Sequence, residues 1–276
     1  MRVRFLLWRQ WAIGYLYFLT LLLSVIYIQA IEAQGLQFHT FTWKEALQEA
    51  KQSGKWVFVD AHTQWCAPCK MLQVYTFPDS ILGAFFNQHF INLKIDLEQG
   101  EGPERNQEWV VSAYPTLLFF DSNGIEIHRA VGYFSAAQLL EIGKQANTPA
   151  LQLRQLKTAF LAGALPSEQL LQLLQTLELA ADPLIGKVAQ TYLSQQKRFD
   201  DPVSQKLVLT YADDPTQPPF QYLLRHRNLF QKQFGHSRVE ARIQVVIEQY
   251  LLLHPTLSKK QINKLKKEVE EGIRGR

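Results

Sequence analysis

The sequence predicts an α/β domain followed by an all-α domain, and three observations predict it. Short apolar runs of strand length alternate with helical patterns as far as about residue 147. Beyond about Thr148 the strands stop, and leucine-rich helical periodicity continues to the end. One apolar run, Val57-Phe58-Val59-Asp60-Ala61, opens into Cys66 and Cys69, the only two cysteines among 276 residues. With 47% hydrophobic and 20% charged residues the composition is globular, and the chain is long enough for two domains. Apart from residues 1–33, 26 basic residues face 24 acidic ones, a balance that does not argue for nucleic acid as a partner.

The first 33 residues read as an address. Arg2, Arg4 and Arg9 precede an uncharged, mostly apolar run from Trp11 to Ala30, and small Ala33 is placed to precede a cleavage point. This segment is expected to be a secretory signal peptide. An uncleaved membrane anchor is the alternative, since about 20 apolar residues are enough to span a bilayer. Both readings keep the arginines on the cytoplasmic side and put the rest of the chain outside the cytoplasm, with the periplasm as the expected compartment. Contact with a membrane is expected only if the segment stays uncleaved.

The elements then follow in order. Thr42-Trp43-Lys44-Glu45 is a capping box, with Trp43, Ala46, Leu47 and Ala50 at helical spacing behind it and Gly54 to end the helix. Residues 56–61 are apolar except for Asp60, the pattern of a parallel strand covered on both faces. Helix is expected from Cys69 to about Thr76 and again from Pro78-Asp79-Ser80 to about Gln88, with a strand from Phe90 to Asp96. A short helix over 104–112 must stop before Tyr114-Pro115, because the residue before proline avoids the helical region. Thr116 to Phe120 is a strand, Asp121-Ser122-Asn123-Gly124 a turn, Ile125 to Val131 the hairpin partner, and Ser135 to Gln138 the cap of a closing helix.

Two cysteines three apart are a poor staple. The loop that a Cys66–Cys69 disulfide closes is worth only about 2 kcal/mol in chain entropy, against roughly 4.7 for 100 residues. Chemistry is the better reading. A structural zinc site needs four ligands, and covalent haem attachment needs histidine where Lys70 stands. His62, four residues before Cys66, leaves a soft copper-type site open as a minor alternative. The spacing favours thiol-disulfide exchange, which requires no cofactor. Outside the cytoplasm such a pair needs a redox partner that restores its dithiol or disulfide. His89 and His128 read as surface or hairpin residues.

Taken together, Val59-Asp60, then Trp65-Cys66-Ala67-Pro68-Cys69-Lys70, then Tyr114-Pro115-Thr116 and a hairpin resemble the thioredoxin superfamily over residues 37–147. Among its members the similarity points to exported thioredoxin-like proteins and to the periplasmic carboxy-terminal domains of disulfide-relay membrane proteins. The resemblance implies a central mixed sheet flanked by helices and a thiol-disulfide oxidoreductase. It makes Cys66 the nucleophile, at a helix start whose N–H groups and dipole favour thiolate, and Cys69 the resolving thiol, the two forming the redox disulfide. Lowering the Cys66 pKa from about 8.5 to about 7 multiplies thiolate at pH 7 roughly 16-fold, but weaker nucleophilicity returns about fivefold. Position must therefore supply much of the advantage. Asp60 is the implied proton carrier for Cys69, and its apolar surroundings should raise its pKa. Trp65, Tyr114 and a cis Pro115 are the implied substrate-binding residues, and protein disulfides the substrates. One departure stands out: the lysine that many thioredoxins carry four residues before the aspartate ending the next strand is here Asn92, with Lys94 one pleat further on.

Residues 149–276 are expected to form an irregular domain of about six or seven helices without catalytic motifs. Asp182-Pro183 and Asp201-Pro202 each pair a cap with proline at the first helical position, and Asp214-Pro215 marks a break. Ser237 to Glu240 and Ser258 to Gln261 have the form of capping boxes, and the lysines at 259, 260, 264, 266 and 267 that of a solvated face. The leading expectation is an extracytoplasmic thiol-disulfide oxidoreductase that exchanges or reduces protein disulfides through Cys66 and Cys69. The alternative is a partner-binding or assembly module on a thioredoxin-like scaffold, with a dithiol that could carry metal.

Overall fold

The computed structural model describes residues 34–274. The expected signal peptide or anchor at 1–33 lies outside the described residues. No helix among the described residues is long and apolar enough to cross a membrane. The chain divides into two compact units: one extends to Gly163 and includes Leu179–Ala181, and the other holds Ala164–Glu178 and the chain from Asp182.

The first unit is a four-stranded mixed sheet between helices. Its elements are α1 (Trp43–Ser53), β1 (Trp56–His62), α2 (Ala67–Met71), α3 (Ser80–His89), β2 (Phe90–Asp96), α4 (Gly102–Trp109), β3 (Thr116–Phe120), β4 (Glu126–Val131), α5 (Ala136–Ala146) and α6 (Leu153–Leu161). The strand order is β2-β1-β3-β4, with β1 parallel to β2 and antiparallel to β3, and β3–β4 a hairpin. Residues alternate between the two faces of a strand, so β1 feeds two cores. Phe58, with Leu117 and Phe119 of β3, packs against Leu72, Leu82, Phe86 and Leu139. Val57, Val59 and Ala61 face Trp43, Ile91, Leu93, Trp109 and Phe120 on the other side. Asp60, two residues from Phe58, therefore points to the face that α2, α3 and α5 cover.

The capping boxes of Thr42/Glu45 and Ser135/Gln138 both form. Helix α2 starts at Ala67, two residues before its expected start, because the Cys66 side chain serves as the cap; a single π-helical turn, Leu72–Thr76, continues it. The turn buries Leu72 and Thr76 and leaves Val74 and Tyr75 in solvent. Upstream of α1, residues 34–39 run along the free edge of β2. His39 N–H donates to the Asn92 carbonyl at 2.9 Å, and the Asn92 and Asn87 side chains donate to the carbonyls of Gln37 and Gly35.

Beyond residue 148 no strand occurs among the described residues. Helix α6 packs on β4, where the Leu153 N–H donates to Nδ1 of His128 at 3.1 Å. His128 lies in the hairpin as expected but is buried rather than on the surface, at 1% exposure, and burial pushes its pKa down to about 4.

The second unit contains α7 (Leu170–Leu179) as far as Glu178, α8 (Ile185–Gln195), α9 (Pro202–Tyr211), α10 (Pro218–Arg225), α11 (Arg227–Phe234), α12 (His236–Leu253) and α13 (Lys259–Arg274). Eight α-helices thus follow residue 148 among the described residues, more than the periodicity suggests, partly because His226 at φ −110°, ψ 26° separates α10 from α11. Asp201 caps α9 with Pro202 in its first turn. Asp182 instead makes a turn, accepting from Leu184 N–H, and α8 begins at Ile185. The Ser237/Glu240 capping box does not form: α12 begins at His236 after Gly235, and Glu240 is drawn to Arg227. Arg227, 6% exposed, donates through Nε to Glu240 at 2.6 Å and through Nη1 to the Val269 carbonyl.

Candidate active site

The β1 strand ends at His62, and the chain turns through Thr63, Gln64 and Trp65 into α2. Cys66 and Cys69 are bonded to each other across this helix start, with their Cα atoms 5.3 Å apart. Cys66 is the N-cap: its Sγ accepts the Cys69 N–H at 3.2 Å, and its carbonyl accepts the Lys70 N–H. Proline at the second position fits there because the first helical turn has no partner for its N–H groups. Cys66 is 3% exposed and Cys69 fully buried, so of the two cysteines Cys66 lies nearer to solvent. A charge developing on that sulfur faces the Cys69 N–H and the positive end of a short helix.

Asp60 is fully buried, and neither carboxylate oxygen has a hydrogen-bond partner among the described residues. Burial pushes its pKa up to about 7, against a smaller downward pull from the positive charge of Lys94. Lys94 is the residue paired with Asp60 in the β1–β2 register. Asn92, where the family resemblance leads one to expect lysine, is instead turned to the edge segment 34–39. A carboxyl group that titrates near neutrality can take up or release a proton at small cost.

Trp65 is 65% exposed yet held at two edges. Its indole N–H donates to Oε1 of Glu98 at 3.0 Å, and its ring stands edge-on to Tyr114, with centroids 5.8 Å apart and planes at 84°. The Tyr114–Pro115 peptide bond is cis, immediately before β3, whose Thr116 pairs with Ala61 of β1. Pro115 is buried, Tyr114 half-buried, and the Thr116 hydroxyl fastens the loop by donating to the Ala113 carbonyl at 2.7 Å. The structure thus gathers Cys66, Cys69, Trp65, Tyr114 and Pro115 at one end of the sheet, with Asp60 in its interior. Glu98 escapes a reading of the sequence because only the parallel pairing of β1 and β2 brings its loop beside Trp65.

His62 is half-buried, with Nδ1 3.3 Å from the Asp60 carbonyl, and burial lowers its pKa. Among the described residues no group of three histidine, cysteine, aspartate or glutamate side chains is placed to hold a metal ion. Thr63 Oγ1 is buried without a partner among the described residues, while its carbonyl accepts the Cys66 N–H at 3.3 Å.

Residues 43–147 match the family model described as a thioredoxin-like domain. The chain is 32% identical over 118 residues to the thiol:disulfide interchange protein DsbD of Tatumella citrea, covering 41% of this chain and 20% of that one. It is 34% identical over 105 residues to the Yersinia pestis protein of the same name, covering 37% and 17%. The chain thus spans about a fifth of the length of the curated relatives it matches. A solved structure of a proposed disulphide-isomerase from Bacteroides thetaiotaomicron is 44% identical, covers 42% of this chain and 96% of that one, and has a TM-score of 0.39. A thioredoxin from Thermus thermophilus is 22% identical over 41% of this chain and 88% of its own, at a TM-score of 0.38.

Proposed function

Residues 43–147 are a thioredoxin-superfamily thiol-disulfide oxidoreductase domain with Cys66 and Cys69 as its Cys-X-X-Cys pair, and from that premise we propose that the protein exchanges or reduces protein disulfides outside the cytoplasm. The observation that carries this reading is the position of the pair, with Cys66 as the cap of α2 and its sulfur already accepting the Cys69 N–H.

In the reduced protein the Cys66 thiolate attacks one sulfur of a substrate disulfide. The substrate S–S bond breaks, its other sulfur leaves as a thiolate and takes a proton, and a mixed disulfide joins Cys66 to the substrate. Cys69 then gives up its proton, for which Asp60 is the acceptor in this reading, and attacks the Cys66 sulfur. The second substrate sulfur leaves as a thiolate and is protonated as Asp60 gives its proton back, and the Cys66–Cys69 disulfide remains. The substrate has gained two electrons and two protons, so a further dithiol partner must reduce the pair before another turnover. Trp65 and Tyr114 supply an aromatic face for the substrate, and the backbone at Tyr114–Pro115 meets an extended segment. Export rests on residues 1–33, with Arg2, Arg4 and Arg9 ahead of the apolar run.

The test is a trap. Cys66→Ser should lower reduction of a protein disulfide by more than about a hundredfold, since it removes the attacking thiolate. Cys69→Ser should accumulate a mixed disulfide on Cys66, seen by mass spectrometry as an adduct that a small thiol releases. Unchanged activity in Cys66→Ser would sink the reading.

A further inference from the structure

The loop from Asp96 to Glu101 that follows β2 carries three acids, and two are occupied by backbone. Asp96 Oδ1 accepts the N–H of Glu98 at 3.0 Å, and Glu101 Oε1 accepts the N–H of Trp43 at 2.8 Å. The Glu98 carboxylate is exposed beside the dithiol end of the sheet, where its single hydrogen-bond partner among the described residues is the indole N–H of Trp65. Leu97 N–H donates to the His62 carbonyl at 2.9 Å, which pins the loop to the end of β1, the strand that leads into the cysteines. Trp65 therefore spans two loops that flank the dithiol, tied to one by Glu98 and set against the other by Tyr114. An exposed carboxylate thus lies at the rim of an aromatic face, and the tryptophan that forms this face directly precedes the attacking Cys66 in the chain.

We propose that Glu98 determines specificity in disulfide exchange: it fixes the Trp65 indole as a docking face and favours substrate disulfides flanked by lysine or arginine over those flanked by acids. The inference rests on the exchange activity proposed above. One exposed charge pair changes an interaction by about 1.4- to 5-fold in equilibrium terms, and attraction for one substrate combines with repulsion of the other. The expected preference is therefore about fivefold at low ionic strength and shrinks in high salt, where charges are screened within a few ångströms.

The experiment uses the reduced full-length chain, in stoichiometric amount, and two disulfide-linked peptides of equal length that differ only in lysine or glutamate beside the cysteine. Single-turnover rates are measured in low and high salt for wild type, Glu98→Gln and Glu98→Ala, and tryptophan emission is recorded for each protein. Glu98→Gln keeps an acceptor for the indole N–H and removes the charge. It should bring the lysine-to-glutamate rate ratio close to one while leaving the emission in place. Glu98→Ala should erase the preference, shift the emission and slow both peptides. A wild type without preference, or a preference that survives Glu98→Gln, overturns the proposal, and so does wild-type emission in Glu98→Ala. If neither peptide reacts faster with wild type than with Cys66→Ser, the exchange reading itself fails, which is a distinguishable result.

Discussion

Asp60 and His128 are buried titratable residues of the first unit whose pKa values move to opposite effect. Asp60 titrates near 7 when folded against about 3.9 in an unfolded chain, so between those values the folded state holds a proton that the unfolded state has lost. Its contribution is greatest at low pH and is lost as pH rises through about 7. His128, pushed down to about 4, does the reverse: between about 4 and 6.5 the unfolded state binds the extra proton, and stability is lost as pH falls. In wild type the two slopes oppose each other over that window. Asp60→Asn should leave the His128 slope exposed and gain on the order of 3 kcal/mol relative to wild type between about pH 4.5 and 8.5. His128→Gln should expose the Asp60 slope instead. Urea midpoints across that range measure both, and parallel profiles for all three proteins would contradict the assignment. At this scale, the cysteine pair and the burial of Asp60 are legible in the sequence, because a charge inside an apolar run has few other places to go. Glu98 and the buried His128 are not, since each acquires its environment from a segment distant in the chain.

Elements are legible where their signals are local. The boxes at Thr42/Glu45, Ser135/Gln138 and Ser258/Gln261 each close within four residues and form as read. The same pattern at Ser237 fails because Glu240 has a stronger partner in Arg227, contributed by a different helix. The edge segment 34–39 carries no periodic signal, and what admits it is a glycine on α3. A Cβ at Gly83 would lie 2.3 Å from the Gln34 carbonyl oxygen and 2.4 Å from the Gly35 carbonyl carbon. Backbone cannot yield as a flexible side chain can. Gly83→Ala should cost about 1–3 kcal/mol, as overpacking does, and speed amide exchange at residues 36 and 39. Unchanged exchange there would show that the segment is not held by this approach.

For the whole molecule, the division into an α/β part and a helical part is legible because short apolar runs of strand length cease near Thr148 while helical periodicity continues. Packing within the helical unit is not, since it depends on pairings such as that of buried Arg227 with Glu240, 13 residues away. Glu240→Gln leaves a buried guanidinium without its counter-charge and should cost about 3 kcal/mol, whereas Arg227→Met removes the buried charge itself and should cost less. Thermal unfolding of the two variants tests that order, and the reverse order would contradict it. An edge strand ordinarily offers a row of unpaired backbone groups to any extended chain. Along β2 that row is engaged at one point, where His39 donates to the Asn92 carbonyl and bridges to Leu93. At that point of the β2 edge, a further strand seeking to join the sheet finds its place already taken.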